Sequence, residues 1–224
     1  MLPVLLMAGF FVAGPPPLDV ARDAQDRPAL ERIAAEYSAA ADKAPNDAEA
    51  QYRAAMALSY LAEVALEVKD KKLAEDAASR GIKPAERAVA LKPDAARYYV
   101  ALGTLYGQVI PANVLMGLSY GKKCKDAIQK AIEKDPKLAS AYEARGVGNY
   151  YLPQQLGGGF EMAIADFHKS IELDPKRAES YLWLGLSLRK ENKNGEARQA
   201  FQKALEIDPN RVWIKQQLEK TPAQ

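Results

Sequence analysis

The chain has 224 residues, 48% hydrophobic and 27% charged, with a formal net charge of +2. That balance suits one folded unit with an ample core and excludes a largely disordered chain. It also argues against nucleic acid as a partner, which needs a concentrated basic surface. The single cysteine, Cys124, excludes an internal disulfide and a multi-cysteine metal site.

Residues 1–14 are almost wholly apolar (Leu2, Val4, Leu5, Leu6, Met7, Phe10, Phe11, Val12). The run is shorter than the about 20 residues that cross a bilayer core. It ends in small residues, Ala13 and Gly14, as the hydrophobic region of a signal peptide does, although no Lys or Arg precedes it. The expectation is an exported protein, periplasmic or secreted. The alternatives are membrane contact through an uncleaved apolar leader, or a cytoplasmic protein. Residues 15–27 open with Pro15-Pro16-Pro17 and carry Asp19, Arg22, Asp23, Asp26 and Arg27, which reads as a solvated Pro-rich linker.

Pro28 suits a first helical position, where its missing N–H has no intrahelical partner. Leu30, Ile33, Ala34, Tyr37 and Ala41 follow at helical spacing. This predicts a half-repeat over 28–44 that caps the array beyond it. Five boxes then punctuate the chain: Ala44-Pro45-Asn46-Asp47, Lys92-Pro93-Asp94-Ala95, Asp135-Pro136-Lys137, Asp174-Pro175-Lys176 and Asp208-Pro209-Asn210. Counting back from each proline, one column reads Tyr37, Ala85, Ile128, Phe167, Phe201 and another Ala40, Ala88, Ala131, Ser170, Ala204. A recurring large–small pattern with proline punctuation marks a repeat array.

The spacing predicts repeats over 46–93, 94–136, 137–175 and 176–209, with a capping helix over 211–220. The prolines lie 48, 43, 39 and 34 residues apart. The first repeat offers helices over 48–68 and 73–91, the second kinked near Pro84. In the next repeat Ile110-Pro111 should end the first helix, since a residue before proline avoids the α region. The third breaks over 151–159 and resumes at Phe160, and the fourth turns over 191–195. Each Asp-Pro is expected to open the helix that follows. Gly103, Gly146 and Gly185 are the small residues of the first helices, and Phe167 and Phe201 the fillers beside them.

These motifs resemble the tetratricopeptide repeat (TPR) family, with the full pattern over 178–209 and weaker matches back to Ala48. The resemblance implies an all-α, right-handed TPR-like superhelix, a solenoid of antiparallel helix hairpins, several with lengthened helices. The longer repeats, and the Leu152-Pro153 to Gly159 break, resemble a narrower group that includes the T-component of TRAP-type transporters and the regulator of microtubule dynamics family. The resemblance implies a binding module rather than a catalyst. It implies a protein or peptide partner on the concave face or, alternatively, an accessory transporter component that binds a small hydrophobic solute and a periplasmic binding subunit. The asparagines of the clamp by which some TPR proteins hold a chaperone tail are missing, and Glu143 has the wrong sign for it.

The inner face is the default binding surface of a solenoid. Its predicted lining is Arg53, Tyr60, Arg97, Val100, Gln108, Glu143, Val147, Tyr150, Tyr151, Glu179 and Arg189, since tyrosine and arginine favour partner contacts. The apolar stretch 109–120 reads as the packed side of a long helix or as a docking patch. Gly157-Gly158-Gly159 lacks the Gly-Lys-Ser/Thr of a nucleotide loop. His168 has no Ser or Asp constellation around it, and Cys124 falls in the column of small fillers. The expectation is therefore no catalytic residue, no cofactor and no metal.

Overall fold

Three aspartates open the first long helices. Asp26 accepts the N–H of Ala29 at 3.0 Å, Asp47 those of Glu49 at 2.9 Å and Ala50 at 3.3 Å, and Asp70 that of Leu73 at 3.1 Å. Each bond satisfies an N–H that has no partner inside the helix. The structure, a computed structural model, describes residues 17–111 and 114–223. The leader expected over 1–14 lies outside the described residues, as does part of the apolar stretch 109–120.

Among the described residues the chain is all helix and turn. The elements are α1 (Leu18–Asp23), α2 (Arg27–Lys43), α3 (Ala48–Glu67), α4 (Lys71–Leu91) and α5 (Ala96–Val109), then α6 (Gly117–Lys134) and α7 (Ala139–Tyr151). They continue as α8 (Phe160–Leu173), α9 (Ala178–Lys190), α10 (Asn194–Ile207) and α11 (Val212–Glu219), with 3₁₀ turns at Val114–Met116 and Gln154–Leu156. Each helix packs on its successor to give the hairpins α3/α4, α5/α6, α7/α8 and α9/α10. The first helices of the hairpins, α3, α5, α7 and α9, also touch in turn along the inner side of the superhelix.

The large–small columns hold the hairpins together. A Cβ added at Gly146 would come within 2.6 Å of the Phe167 ring, and one at Gly185 within 2.6 Å of the Phe201 ring. The two phenylalanines are fully buried, and the glycines leave the room that the rings occupy against the partner helix. Two large apolar cores result, beside a small third cluster of Ala48, Ala88 and Tyr98 on α3, α4 and α5. One runs from Ala21 on α1 to Ala127 on α6, the other from Ala163 on α8 to Ile214 on α11, and they share no residue.

Two expectations are corrected. The segment 15–27 is not simply a linker: residues 18–23 form α1, and Ala21 is buried against its neighbours. The charged residues that suggested solvation, Arg22 and Asp23, instead find partners inside the fold. The Asp-Pro boxes close helices rather than open them. Asp135, Asp174 and Asp208 are extended, as residues before proline are, and their N–H groups bond back to Ala131, Ser170 and Ala204 at 2.9, 2.8 and 2.9 Å. Their carboxylates accept from the N–H of Lys137, Lys176 and Asn210 at 3.0, 3.1 and 3.1 Å, which builds the turn. α5 ends at Val109, where Ile110-Pro111 was expected to end it, although Ile110 itself keeps helical angles (φ −64°, ψ −46°) and bonds to Gly107 O. α4 is a single helix that runs through Pro84.

Candidate functional site

Arg53, Met56, Tyr60, Glu63 and Glu67 follow one another on α3 at alternating spacings of three and four, which puts them on one stripe of the helix. The stripe changes character along its length. At its N-terminal half Leu18, Asp19, Tyr37, Tyr52, Arg53, Met56 and Tyr60 surround a groove of about 370 Å³. A second hollow of about 280 Å³ continues it, sharing Tyr37 and Arg53 and adding Glu36, Asp47 and Glu49. The Arg53 side chain is 64% exposed, with Glu49 3.6 Å away. Arg97 bonds the other oxygen of Glu49 at 2.6 Å and lies over the rings of Tyr52 and Tyr98, 4.9 and 5.2 Å from their centroids. Such stacking fixes a guanidinium while leaving its rim free to donate.

At its C-terminal half the stripe meets the far end of the chain. Arg211, just ahead of α11, is fully buried. It donates to Glu63 Oε1 at 2.7 Å, to both oxygens of Glu67, and to Glu179 Oε1 at 2.9 Å. It also donates to the backbone oxygen of Arg22 at 3.3 Å. The Arg22 guanidinium lies 3.5 Å from Glu179 and 4.8 Å from the centre of the Tyr60 ring. Gln25 joins the cluster, donating to Glu67 at 2.7 Å and accepting from Gln216 at 3.2 Å.

Four carboxylates (Asp23, Glu63, Glu67 and Glu179) thus face two guanidiniums (Arg22 and Arg211). The excess of acid favours keeping a proton in the cluster. Burial pushes Glu63 up to about 8, against the pull of Arg211 and Arg22, and raises Glu67 in the same sense. Burial opposes ionisation of Glu179 too, but there Arg211 and Arg22 outweigh it and hold its pKa below the ordinary value. Burial also pushes the Tyr60 hydroxyl up to about 12, with Arg22 opposing.

The remaining predicted residues divide between open and committed. Gln108 exchanges bonds with Ser59 between α5 and α3, at 3.0 and 3.1 Å. Glu143 takes a two-point bond from Arg177, at 2.6 and 3.0 Å, and another from Ser180 at 2.8 Å. Arg189 holds α11 through Gln217 and Thr221. Val100 is half-buried on α5, and Val147 packs against the C-terminal core. Tyr150 belongs to an aromatic ladder with Trp183 and Trp213, whose successive centroids are 5.5 Å apart. Tyr151, 56% exposed, lies at the edge of that ladder.

The sequence reading missed Arg22, Glu63, Glu67, Arg177, Trp183, Trp213 and Arg211. Glu63 and Glu67 could have been found, because they extend the Arg53–Tyr60 stripe by the same spacing. Arg211 carries no such signal, since its partners on α3 lie up to 148 residues away.

The face offers hydrogen-bonding groups and apolar anchors for a ligand. Residues 178–211, which span α9 and α10, match the family model of the tetratricopeptide repeat. The chain carries a tetratricopeptide repeat within a TPR fold. A thermophilic TPR protein of Thermus thermophilus superposes with a TM-score of 0.63 at 19% identity, over 91% of this chain and 96% of that one. The pilF protein of Pseudomonas aeruginosa gives 0.48 at 19% identity over 76% and 68% of the two chains. MamA from Desulfovibrio magneticus gives 0.45 at 18% over 87% and 94%. The Thermus match is a likeness of fold.

Proposed function

We propose that the protein is a non-catalytic interaction module that takes an extended, basic peptide segment of a protein partner along its inner face. The observation that carries this is the groove between α1, α2 and α3. Tyr37, Tyr52, Met56 and Tyr60 offer it apolar and aromatic surface. Asp19, Glu36, Asp47 and Glu49 outnumber Arg53 among the charged groups around it, which favours a cationic ligand. Tyrosines bind at low entropic cost because few of their torsions must be frozen.

The test is selection of peptides from a displayed library on the purified protein, followed by titration against Tyr52→Ala and Tyr37→Ala. Lysine- or arginine-bearing peptides should lose about tenfold in affinity, the scale of about 1–2 kcal/mol for an interface anchor. Peptides that bind both variants as tightly as the wild type would place the site elsewhere. The transporter-accessory alternative draws on the lengthened repeats, and the same groove would receive its small hydrophobic solute. A small molecule retained in native mass spectrometry, together with a library that yields no groove-binding peptide, would favour it.

A further inference from the structure

The two apolar cores are joined in two places of different kind. In the helix stack they meet where α7 packs on α5 and α6 about the turn 135–138, and the side chains buried there on α6 and α7 are small apart from Ile128: Ala127, Ala131, Ala139 and Ala141. Across the superhelix they meet at Arg211. There α1 and α3 are not packed along α9 or α11, and the join is made by side chains. It comprises the bonds of Arg211 to Glu63, Glu67, Glu179 and Arg22 O, the Arg22–Glu179 pair, and the Gln25–Gln216 bond. A polar join between two separately cored blocks can part without exposing a hydrophobic seam, because water can take over each hydrogen bond.

The join also lies on the binding face. Glu63 and Glu67 continue the stripe that forms the groove, and Arg22 stacks on Tyr60, a groove residue. We propose that Arg211 is the tongue of an ionic clasp that shuts the superhelix across its own inner face, and that must open for a basic partner to reach the carboxylates beneath it. The partner half of this rests on the peptide-binding reading above. Arg211 acts there as an internal stand-in for the partner's cation. Its fork satisfies three glutamates at once, which an ammonium cannot match. When the blocks part, Glu63, Glu67 and Glu179 are left in need of positive charge. The turn at 135–138, bordered by small side chains, is the place about which the blocks would swing.

The experiment uses small-angle scattering of the full chain, with far-UV circular dichroism to certify helix content. Arg211→Ala breaks the clasp from one side and the double variant Glu63→Ala/Glu67→Ala, which removes the accepting oxygens, from the other. Both should show a larger radius of gyration than the wild type at unchanged helix content. Arg211→Lys, which keeps the charge and loses the fork, should fall between and guards against a truncation that fails to fold. Titration with nona-arginine then reads the face. If the closed form is favoured about tenfold, Arg211→Ala should bind the probe about tenfold more tightly than wild type. Adding Glu63→Gln/Glu67→Gln to it should abolish the gain. Wild-type dimensions in all folded variants would overturn the clasp, whatever binds. Expansion without tighter nona-arginine binding would leave a mechanical clasp and overturn the basic-partner reading instead.

Discussion

At the residue scale, packing and charge are decided by different kinds of neighbour. Phe201 contacts Gly185, from the facing helix of its own hairpin, and both positions recur in the preceding hairpin as Phe167 and Gly146. A contact repeated at fixed spacing can be read from the chain, and Phe201 is fully buried as its column requires. Phe201→Ala should lower stability by about 3–5 kcal/mol, seen as a large drop in denaturation midpoint. A loss below about 1 kcal/mol would mean that the site collapses without cost. Ser170 shows where such reading stops. It stands in a column otherwise filled by alanine, yet its hydroxyl bonds Ala139 O at 2.9 Å and the Ser180 hydroxyl at 2.8 Å. Through Ser180 it reaches Glu143 and Arg177, so a position that looks like a small filler supports a polar network on the inner face.

At the scale of the element, helix existence was legible because periodic apolar residues and Pro, Gly and Asp punctuation act over a few residues. The role of the punctuation was less so. Asp-Pro has the chemistry to cap a helix, but the constraint proline places on the residue before it makes that Asp the end of the preceding one. α1 was missed because six residues are too few to show a period, and its charged residues are neutralised by distant partners. α11 illustrates how an element is fixed from outside. Arg189 donates to Gln217 O and Oε1 and to Thr221 Oγ1, and Arg198 donates to Leu218 O and Thr221 O. These bonds tie the C-terminal end of α11 to α9 and α10. Arg189→Ala should therefore speed amide exchange within Val212–Glu219 while α2 to α4 stay protected. Unchanged exchange in α11 would show that apolar packing of Ile214 alone holds it.

At the scale of the whole molecule, an ordinary solenoid gains stability from neighbour contacts alone. This one adds a join between its ends, and that join titrates. Glu63 faces Arg22 of α1, Tyr60 and Glu67 of α3, Glu179 of α9 and Arg211, with Arg177 beyond Glu179. Burial raises it from an ordinary 4.5 to about 8, so the folded chain binds this proton more tightly than the unfolded one between those values. Its contribution is fully present below about 4.5 and declines as pH rises toward 8. Glu179, shifted downward, acts in the opposite sense and loses its contribution as the pH falls below its ordinary range. The two together predict a stability maximum in mild acid. The denaturant midpoint should fall between about pH 5 and pH 8, and Glu63→Gln should flatten that slope. A wild-type midpoint that stays level, or rises, over this range would show that Glu63 is ionised in the fold.

The sequence by itself determined the all-helical array and its hairpins, because each repeat packs only on the next and the large–small contacts recur at a readable spacing. On α3 it pointed to Arg53 and Tyr60 but not to Glu63 and Glu67. Only the tertiary structure decided which of those side chains remain open and which are spent within the fold. Arg211 and Glu67 are 144 residues apart. An ion pair formed across such a separation depends on how the helices curve in sum, and no local pattern in the chain records that curvature.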